Sequence, residues 1–202
     1  MKKVLLSILT FVTISFASEA QTRFGVKAGG NLADMAVASS GISLDTKSIL
    51  AFHVGGTMEM DLSESLFLQP SLLYAQKGFG ASGSAFGITS ETTARFNYIE
   101  LPVNVMYRVT DFLTVGAGPY AAYLLSGKAK STAAGQSMED DLDLTKSNRL
   151  DAGLNLNVGY EVIPSLVINL NYSYGLTNID KGGETSKNRV LGLSISKFFG
   201  QE

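Results

Sequence analysis

The 202-residue sequence contains no cysteine, no tryptophan and a single histidine, His53. Because cysteine is missing, disulfides, thiol nucleophiles and thiolate metal sites are excluded. Sixteen Lys and Arg residues stand against 18 Asp and Glu residues, which gives a formal net charge of −2. The basic residues do not cluster, so the sequence lacks the positive field that nucleic-acid binding requires. No nucleic-acid partner is predicted.

Long hydrophobic runs are also missing, because no segment after the N-terminus reaches the ~20 apolar residues of a transmembrane helix. At the N-terminus, two lysines precede a mostly apolar segment at residues 4–16 and small residues at 17–20. This order predicts a secretory signal peptide at residues 1–20, followed by one domain at residues 21–202. A buried N-terminal helix and a membrane anchor are the alternatives. If the mature protein spans a membrane, it must do so with strands.

A strict alternation at residues 97–108 is the clearest local pattern. The odd positions from Ile99 onward are apolar, whereas the even positions include Glu100, Asn104 and Arg108. A period of two predicts a β-strand with two unlike faces. In a water-soluble sheet the polar face points to solvent, but in a membrane barrel it points to the lumen and the apolar face meets lipid.

Similar alternation elsewhere gives seven more strands, so that eight are predicted, at residues 23–33, 49–61, 66–77, 97–108, 112–126, 148–162, 166–175 and 188–199. The connections alternate between long and short, and residues 34–48, 78–94, 127–147 and 177–187 are predicted to be long loops. All of these strands exceed the usual globular length of about 5–6 residues. Long connections at one end and tight turns at the other predict an all-β fold, an eight-stranded antiparallel up-and-down transmembrane β-barrel behind a cleavable signal peptide.

The polar register carries most of the charge of the predicted strands, including Lys77. Outward positions carry charge only near strand ends, at Arg95, Arg189 and Lys197, where long side chains can reach the lipid head groups. Side chains fill so narrow a barrel, and an unpaired buried charge is costly. We therefore predict a structural network in the lumen, with a conduction pathway as the alternative. Its members are Lys27, His53, Glu59, Glu100, Arg108, Asp151 and Glu161.

Catalytic residues, cofactors and metal sites are not predicted. His53 is the only imidazole, and its inward register points it away from lipid, so a hydrogen-bonded lumenal histidine is favoured over catalysis. The acidic run at residues 139–143 lacks the Gly and the distal Glu of an EF-hand loop. It is predicted to be a solvated acidic loop.

Several motifs, spread in order along the mature chain, give it a family resemblance. They are FGVKAG at 24–29, PSLLYAQKG at 70–78, YIELP at 98–102, GPY at 118–120, GYE at 159–161, YSYGLTNI at 172–179 and NRV at 188–190. With these motifs the chain resembles the outer-membrane β-barrel domain proteins of Gram-negative bacteria labelled "porin family" or PorT-like. The resemblance implies location in the cell outer membrane, and some relatives are linked to protein secretion.

Three functional hypotheses follow. The first is a non-enzymatic outer-membrane protein with a role in envelope structure or in surface interaction through its long loops. The second is an accessory component of an outer-membrane secretion system. The third is a soluble lipocalin-like barrel, which would need the apolar register inside. The expected partners are outer-membrane lipid and lipopolysaccharide, the outer-membrane assembly machinery, and a possible secretion-system or surface partner.

Overall fold

The computed structural model describes residues 22–39, 42–44, 46–85, 88–133, 136–181 and 185–199. The predicted signal peptide at residues 1–20 lies outside this part of the chain. The elements are β1 (Thr22–Ser39), β2 (Ile42–Leu44), β3 (Ile49–Asp61), β4 (Leu66–Ala85), β5 (Ile88–Arg108), β6 (Leu113–Ala133), β7 (Gln136–Asp141), a 3-10 turn (Leu144–Lys146), β8 (Leu150–Ile163), β9 (Leu166–Gly175) and β10 (Thr185–Phe199). Within the described residues, no helix has the length and apolar character to cross a membrane.

Eight long strands close into one ring. Each strand pairs antiparallel with its neighbours in the order β1, β3, β4, β5, β6, β8, β9 and β10, and β10 pairs with β1 to close the circle. The short strands β2 and β7 add only to the outer parts of β1 and β6. The predicted eight-stranded antiparallel up-and-down barrel is therefore confirmed.

Tight turns join the strands at one end of the barrel, which we call the turn end. Backbone hydrogen bonds close these turns, from Leu62 N to Leu66 O at 2.9 Å and from Val109 N to Leu113 O at 2.9 Å. In the third turn, Ser165 has a positive φ of 65°. The start of β1 and the end of β10 are at this end too. In bacterial outer-membrane barrels, short turns face the periplasm.

Each of the predicted long loops is wrong in part, because strands extend into it. β4 and β5 stay paired as far as Ala85 and Ile88, and β6 pairs with β7 from Lys128 to Ala133. β1 likewise continues to Ser39 instead of ending near Ala33. We call the β4–β5 and β6–β7 extensions the hairpin arms. They are rich in Gly, Ser, Thr and charged residues on both faces, so they show no apolar alternation that could reveal a strand.

The apolar register faces outward all around the ring. In the described residues, 34 large apolar side chains are exposed, for example Leu50 at 72% and Leu156 at 57%. The inward register is polar and buried. A soluble protein rarely exposes so much contiguous apolar surface. The lipocalin-like alternative is therefore wrong, since it requires the opposite facing.

Candidate functional site

An ammonium group shared by two carboxylates lies in the middle of the lumen. Lys77 on β4 places its Nζ 2.6 Å from Glu100 Oε2 and 3.1 Å from Asp151 Oδ2. The Lys77 side chain is only 2% exposed. Its Nζ also lies 4.3 Å from the centre of the Tyr120 ring and 5.2 Å from that of Tyr98, at cation–π distances. Three strands and two aromatic rings thus enclose one buried charge.

Asp151 is held by neutral partners as well. Its Oδ2 accepts hydrogen bonds from the Tyr120 hydroxyl at 3.2 Å and from Asn188 Nδ2 at 2.9 Å. Its Oδ1 accepts a hydrogen bond from the Thr177 hydroxyl at 3.0 Å. A buried ion pair is tolerated only when further hydrogen bonds satisfy its charges, and Asp151 meets this condition.

Lys27 and His53 face the same polar region. They line a cavity of about 20 Å³ together with Glu100 and Asn31, which is room for about one water molecule. His53 Nδ1 lies 2.8 Å from Asn31 Oδ1, whereas its Nε2 has no hydrogen-bond partner among the described residues. Lys27 and Lys77 together balance Glu100 and Asp151 in formal charge. The middle of the lumen is therefore formally neutral.

The remaining predicted network members lie toward the turn end. Glu59 pairs with Arg23 and accepts a hydrogen bond from Gln69 Nε2 at 3.2 Å. Arg108 pairs with Asp61 at 2.5 Å beside the first turn.

Glu161 accepts a hydrogen bond from the Ser165 backbone N–H at 2.7 Å, in the turn between β8 and β9. The structure thus divides the predicted single network. Lys27, His53, Glu100 and Asp151 gather near Lys77, whereas Glu59, Arg108 and Glu161 each have a local partner. The reason is axial distance, because residues at opposite ends of a long strand cannot meet even when they share a face.

An apolar layer covers the cluster on the side of the hairpin arms. We call it the outer apolar layer; its buried members are Met35, Ala94, Phe96, Tyr98, Tyr120, Ala122, Leu124 and Ile179. Leu142 and Leu144, which follow β7, pack against it from the chain segment after the arm. The chain segment that follows β7 therefore helps to cover the mouth of the barrel at the end that carries the hairpin arms.

Large buried apolar side chains also occupy the inward register near the turn end. Phe67, Met106 and Phe198 are each no more than 2% exposed. The Arg108 guanidinium lies 4.5 Å from the centre of the Phe67 ring, and the Arg23 guanidinium lies 5.3 Å from that of Phe198. The polar middle thus lies between apolar residues on both sides, an arrangement that opposes a continuous file of ions.

Functional groups that the sequence analysis did not place in the network are Lys77, Tyr98, Tyr120, Arg23 and Asp61. Lys77 was visible on the polar register, but its position between Glu100 and Asp151 depends on the pairing register of β4, β5 and β8. Among the described residues, no group of three or more His, Asp or Glu side chains could hold a metal ion.

Comparison with known proteins agrees with this architecture. The family model described as "Outer membrane protein beta-barrel domain" matches residues 16–181. The chain is similar in fold to Ail, the attachment invasion locus protein of Yersinia pestis, which was solved in complex with the heparin analogue sucrose octasulfate. The two sequences are 16% identical, and the TM-score is 0.51. The match covers 89% of this chain and 99% of Ail.

It is also similar to Neisserial surface protein A, with 14% identity, coverage of 87% of this chain and 97% of that one, and a TM-score of 0.53. No curated protein matches the sequence. Since the family model covers most of the chain, the predicted resemblance and the predicted location are confirmed. The chain belongs to the outer membrane protein β-barrel domain family and lies in the cell outer membrane.

Proposed function

We propose that this protein is a non-enzymatic, non-conducting outer-membrane protein that acts at the cell surface through its hairpin arms. The observation that carries the proposal is the formally neutral Lys77 cluster between apolar layers. A wide channel needs a continuous hydrated path, and buried apolar residues at both ends of the polar region oppose one. Catalysis finds little support either, because the hydrogen bond of His53 goes to Asn31 instead of a nucleophile or a carboxylate.

The arms have the properties of a binding platform. β4 and β5 remain hydrogen-bonded partners for eight residue pairs beyond Lys77, from Gly78 with Arg95 to Ala85 with Ile88. A paired ribbon loses less conformational freedom on binding than a free loop does. On β7 every residue is exposed, including Met138 at 69%. The arms thus present side chains on a preformed backbone.

The charge of the long connections favours a protein partner over a polyanion. Residues 34–48, 78–94, 127–147 and 177–187 together contain six basic and nine acidic residues. The Ail structure was solved with a sulfated heparin analogue. The acidic balance here would repel such a polyanion. We therefore expect contact with a protein at the surface or in the envelope.

Electrical recording tests the first part of the proposal. Purified full-length protein refolded into planar lipid bilayers is expected to give no stable large conductance. Stable conductance steps would overturn the non-conducting assignment. A His53→Ala variant is expected to leave the lipid composition of the membrane unchanged, and loss of a lipid modification would overturn the non-enzymatic assignment.

Shortening the arms tests the second part. Residues 80–92 and 129–140 would be replaced by two-residue turns, which keeps Phe79, Ala94 and Leu142 in contact with the outer apolar layer. The shortened protein is expected to keep heat-modifiable gel migration but to lose the partners that crosslinking recovers with the full protein. Recovery of the same partners by both forms would contradict the role of the arms. Secretion components among arm-dependent partners would favour the accessory hypothesis.

A further inference from the structure

The outer surface changes from apolar to polar within one row of residues across β4, β5 and β6. Tyr74, Ile99 and Tyr123 lie side by side on the outward register. In the next row toward the arms, Gln76 is paired with Asn97, and Asn97 with Ser126. Gln76 and Asn97 are each two positions from a residue of the lipid-facing row, so they share its face. Ser126 is three positions from Tyr123, but a register shift between Asn97 and Tyr98 brings it opposite Asn97 on the same face.

The polar row is tied together by side-chain hydrogen bonds. Gln76 Nε2 donates to Asn97 Oδ1 at 3.1 Å, and Asn97 Nδ2 donates to Ser126 Oγ at 2.9 Å. Arg95 Nη1 donates to Gln76 Oε1 at 3.0 Å and to the Leu50 carbonyl at 2.7 Å. The Arg95 guanidinium is therefore held in place from one side. The hydrogen bonds that it makes to described residues all use Nη1, so its other nitrogens can meet a ligand.

Taking the Ile99 row as the edge of the hydrocarbon, the next row but one, which contains Arg95 and Lys128, lies beside the lipid head groups. Arg95 is four residues beyond Ile99, about 13 Å along a strand and about 9 Å in height at a strand tilt of about 45°. The head-group layer on each side of a bilayer is about 5–8 Å thick. The long Arg95 and Lys128 side chains can therefore reach it.

A groove of about 330 Å³ opens on this outward face; we call it the rim groove. It is lined by Gln76, Glu91, Thr93, Arg95, Asn97, Lys128, Lys130, Thr132 and Glu139. Three of these side chains are cationic and two are anionic.

Two cations of the rim groove face each other across paired strands. Arg95 and Lys128 are direct cross-strand partners, and Lys130 lies one row further out opposite Thr93. Like charges directly opposite each other destabilise a strand pair. Lys128 is also drawn toward β7, since its Nζ donates to Glu139 Oε1 at 3.0 Å. An anion in the groove would offset the repulsion that remains between Arg95 and the two lysines.

We propose that the rim groove binds the anionic phosphate group of an outer-leaflet lipid whose head group carries no balancing cation. A guanidinium matches the geometry of phosphate oxygens, and two lysines add charge without fixed geometry. Thr93 supplies a neutral hydroxyl for the rest of a polar head group, while Asn97 and Thr132 already form hydrogen bonds with Gln76, Ser126 and Ser137. A lipid is favoured over a soluble anion because the groove shares the outward register of Ile99 and Tyr123, so its lower edge adjoins the acyl chains. This inference goes beyond the proposed surface function and does not depend on it.

The test uses the full chain refolded in uncharged detergent micelles, at about 0.15 M salt to screen weak long-range attraction. The probes are dihexanoyl phosphatidic acid, dihexanoyl phosphatidylcholine and inorganic phosphate, and the readout is the NMR shift of the Arg95 guanidinium. Phosphatidic acid is expected to give a saturable shift and to bind at least several-fold more tightly than either other probe. Phosphatidylcholine also contains a phosphate, but its charge is balanced by choline, so equal binding of phosphatidylcholine would overturn the assignment to an anionic phosphate group. Equal binding of inorganic phosphate would overturn the lipid assignment.

Charge variants locate the site. The double variant Lys128→Gln with Lys130→Gln is expected to weaken phosphatidic acid binding about tenfold. Glu91→Gln, which removes an anion from the same groove, is expected to tighten it. The matched control is Arg149→Gln with Lys181→Gln, two exposed cations outside the groove with the same change in net charge. An equal loss in the control, or an unchanged affinity in the Lys128/Lys130 variant, would refute the site.

Discussion

At the scale of single residues, Asp151 holds the lumenal cluster together, because Lys77, Tyr120, Asn188 and Thr177 all bond to its carboxylate. We expect Asp151→Asn to lower the free energy of unfolding by about 3–5 kcal/mol, since it removes half of the negative charge around a buried ammonium. Equilibrium unfolding in urea, with the protein in phospholipid vesicles, measures this loss.

The matched control is Asp61→Asn, which breaks the ion pair with Arg108 at the turn end. Both side chains of that pair are partly exposed, at 34% and 28%. Solvent screens such a pair, so its loss is expected to cost no more than about 1 kcal/mol. An Asp151 variant as stable as the Asp61 variant would show that the lumen does not depend on its ion cluster.

Glycine at position 118 is required by close approach of neighbouring strands. A Cβ on Gly118 would lie 1.9 Å from the Val103 carbonyl oxygen, a backbone atom that cannot rotate away. Gly118→Ala is therefore expected to destabilise the barrel by about 1–3 kcal/mol. Gly56→Ala is the control, because the nearest atom to its Cβ would be the Gly25 carbonyl oxygen at 3.9 Å. Equal urea midpoints for the two variants would contradict the crowding argument.

Which residues point into the lumen could be predicted, because side-chain direction follows from a period of two. Which residues touch could not. Glu100 on β5 is paired in register with Leu73 on β4. Its carboxylate nevertheless contacts Lys77, which is four residues beyond Leu73 on β4. Such a contact depends on strand tilt and on long side chains that lean along the barrel axis. The sequence pattern of one strand contains neither quantity.

At the scale of elements, the barrel strands could be predicted and the arms could not. Strand β8 from Leu150 to Glu161 and strand β9 from Ile168 to Gly175 alternate outward apolar residues or Ala152 with polar residues or glycine, since one face meets lipid and the other meets the lumen. Beyond the lipid-facing rows this contrast disappears, because both faces of a hairpin arm can be wet. The pairing of β6 with β7 buries no row of apolar side chains, so the sequence there shows no alternation of apolar and polar residues. Its turn-forming composition predicts a loop instead.

The β6–β7 arm carries a contact that depends on pH. A hydrogen bond from Lys128, together with its positive charge, holds the pKa of Glu139 below its ordinary value. A carboxyl whose pKa is depressed stabilises the folded arm above its unfolded pKa, and this contribution is lost as pH falls through the folded pKa. We therefore expect the contact to be intact at neutral pH and lost in acid.

Carboxyl-carbon NMR titration of the protein in micelles measures the Glu139 pKa directly. Lys128→Met is expected to raise it toward the ordinary value, because both the hydrogen bond and the charge are removed. Lys181→Met is the control, since the Lys181 ammonium donates to the Thr145 carbonyl and not to β7. If the Glu139 pKa is the same in the Lys128→Met variant as in the unchanged protein, the pairing of Lys128 with Glu139 is refuted.

At the scale of the whole molecule, the outward and inward faces of the barrel stabilise the fold in different environments. The outward register is apolar and gains from contact with lipid, while the lumen is polar and depends on paired charges and hydrogen bonds. A charge should therefore be tolerated or rejected according to its depth and its face. The outward charges Arg189 and Lys197 fit this rule; the Lys197 ammonium reaches the Pro164 carbonyl in a turn, at 3.3 Å.

Depth dependence gives a direct test of how the barrel lies in the membrane. Leu156 is outward, 57% exposed and near the middle of β8, between Ala117 and Tyr172 on the neighbouring strands. Leu156→Arg is expected to cost about 2–4 kcal/mol in phospholipid vesicles, because the guanidinium would face the hydrocarbon. Val162→Arg, on the same strand and face but beside the turn, is expected to cost no more than about 1 kcal/mol. Equal costs would mean that residue 156 does not lie at the membrane midplane.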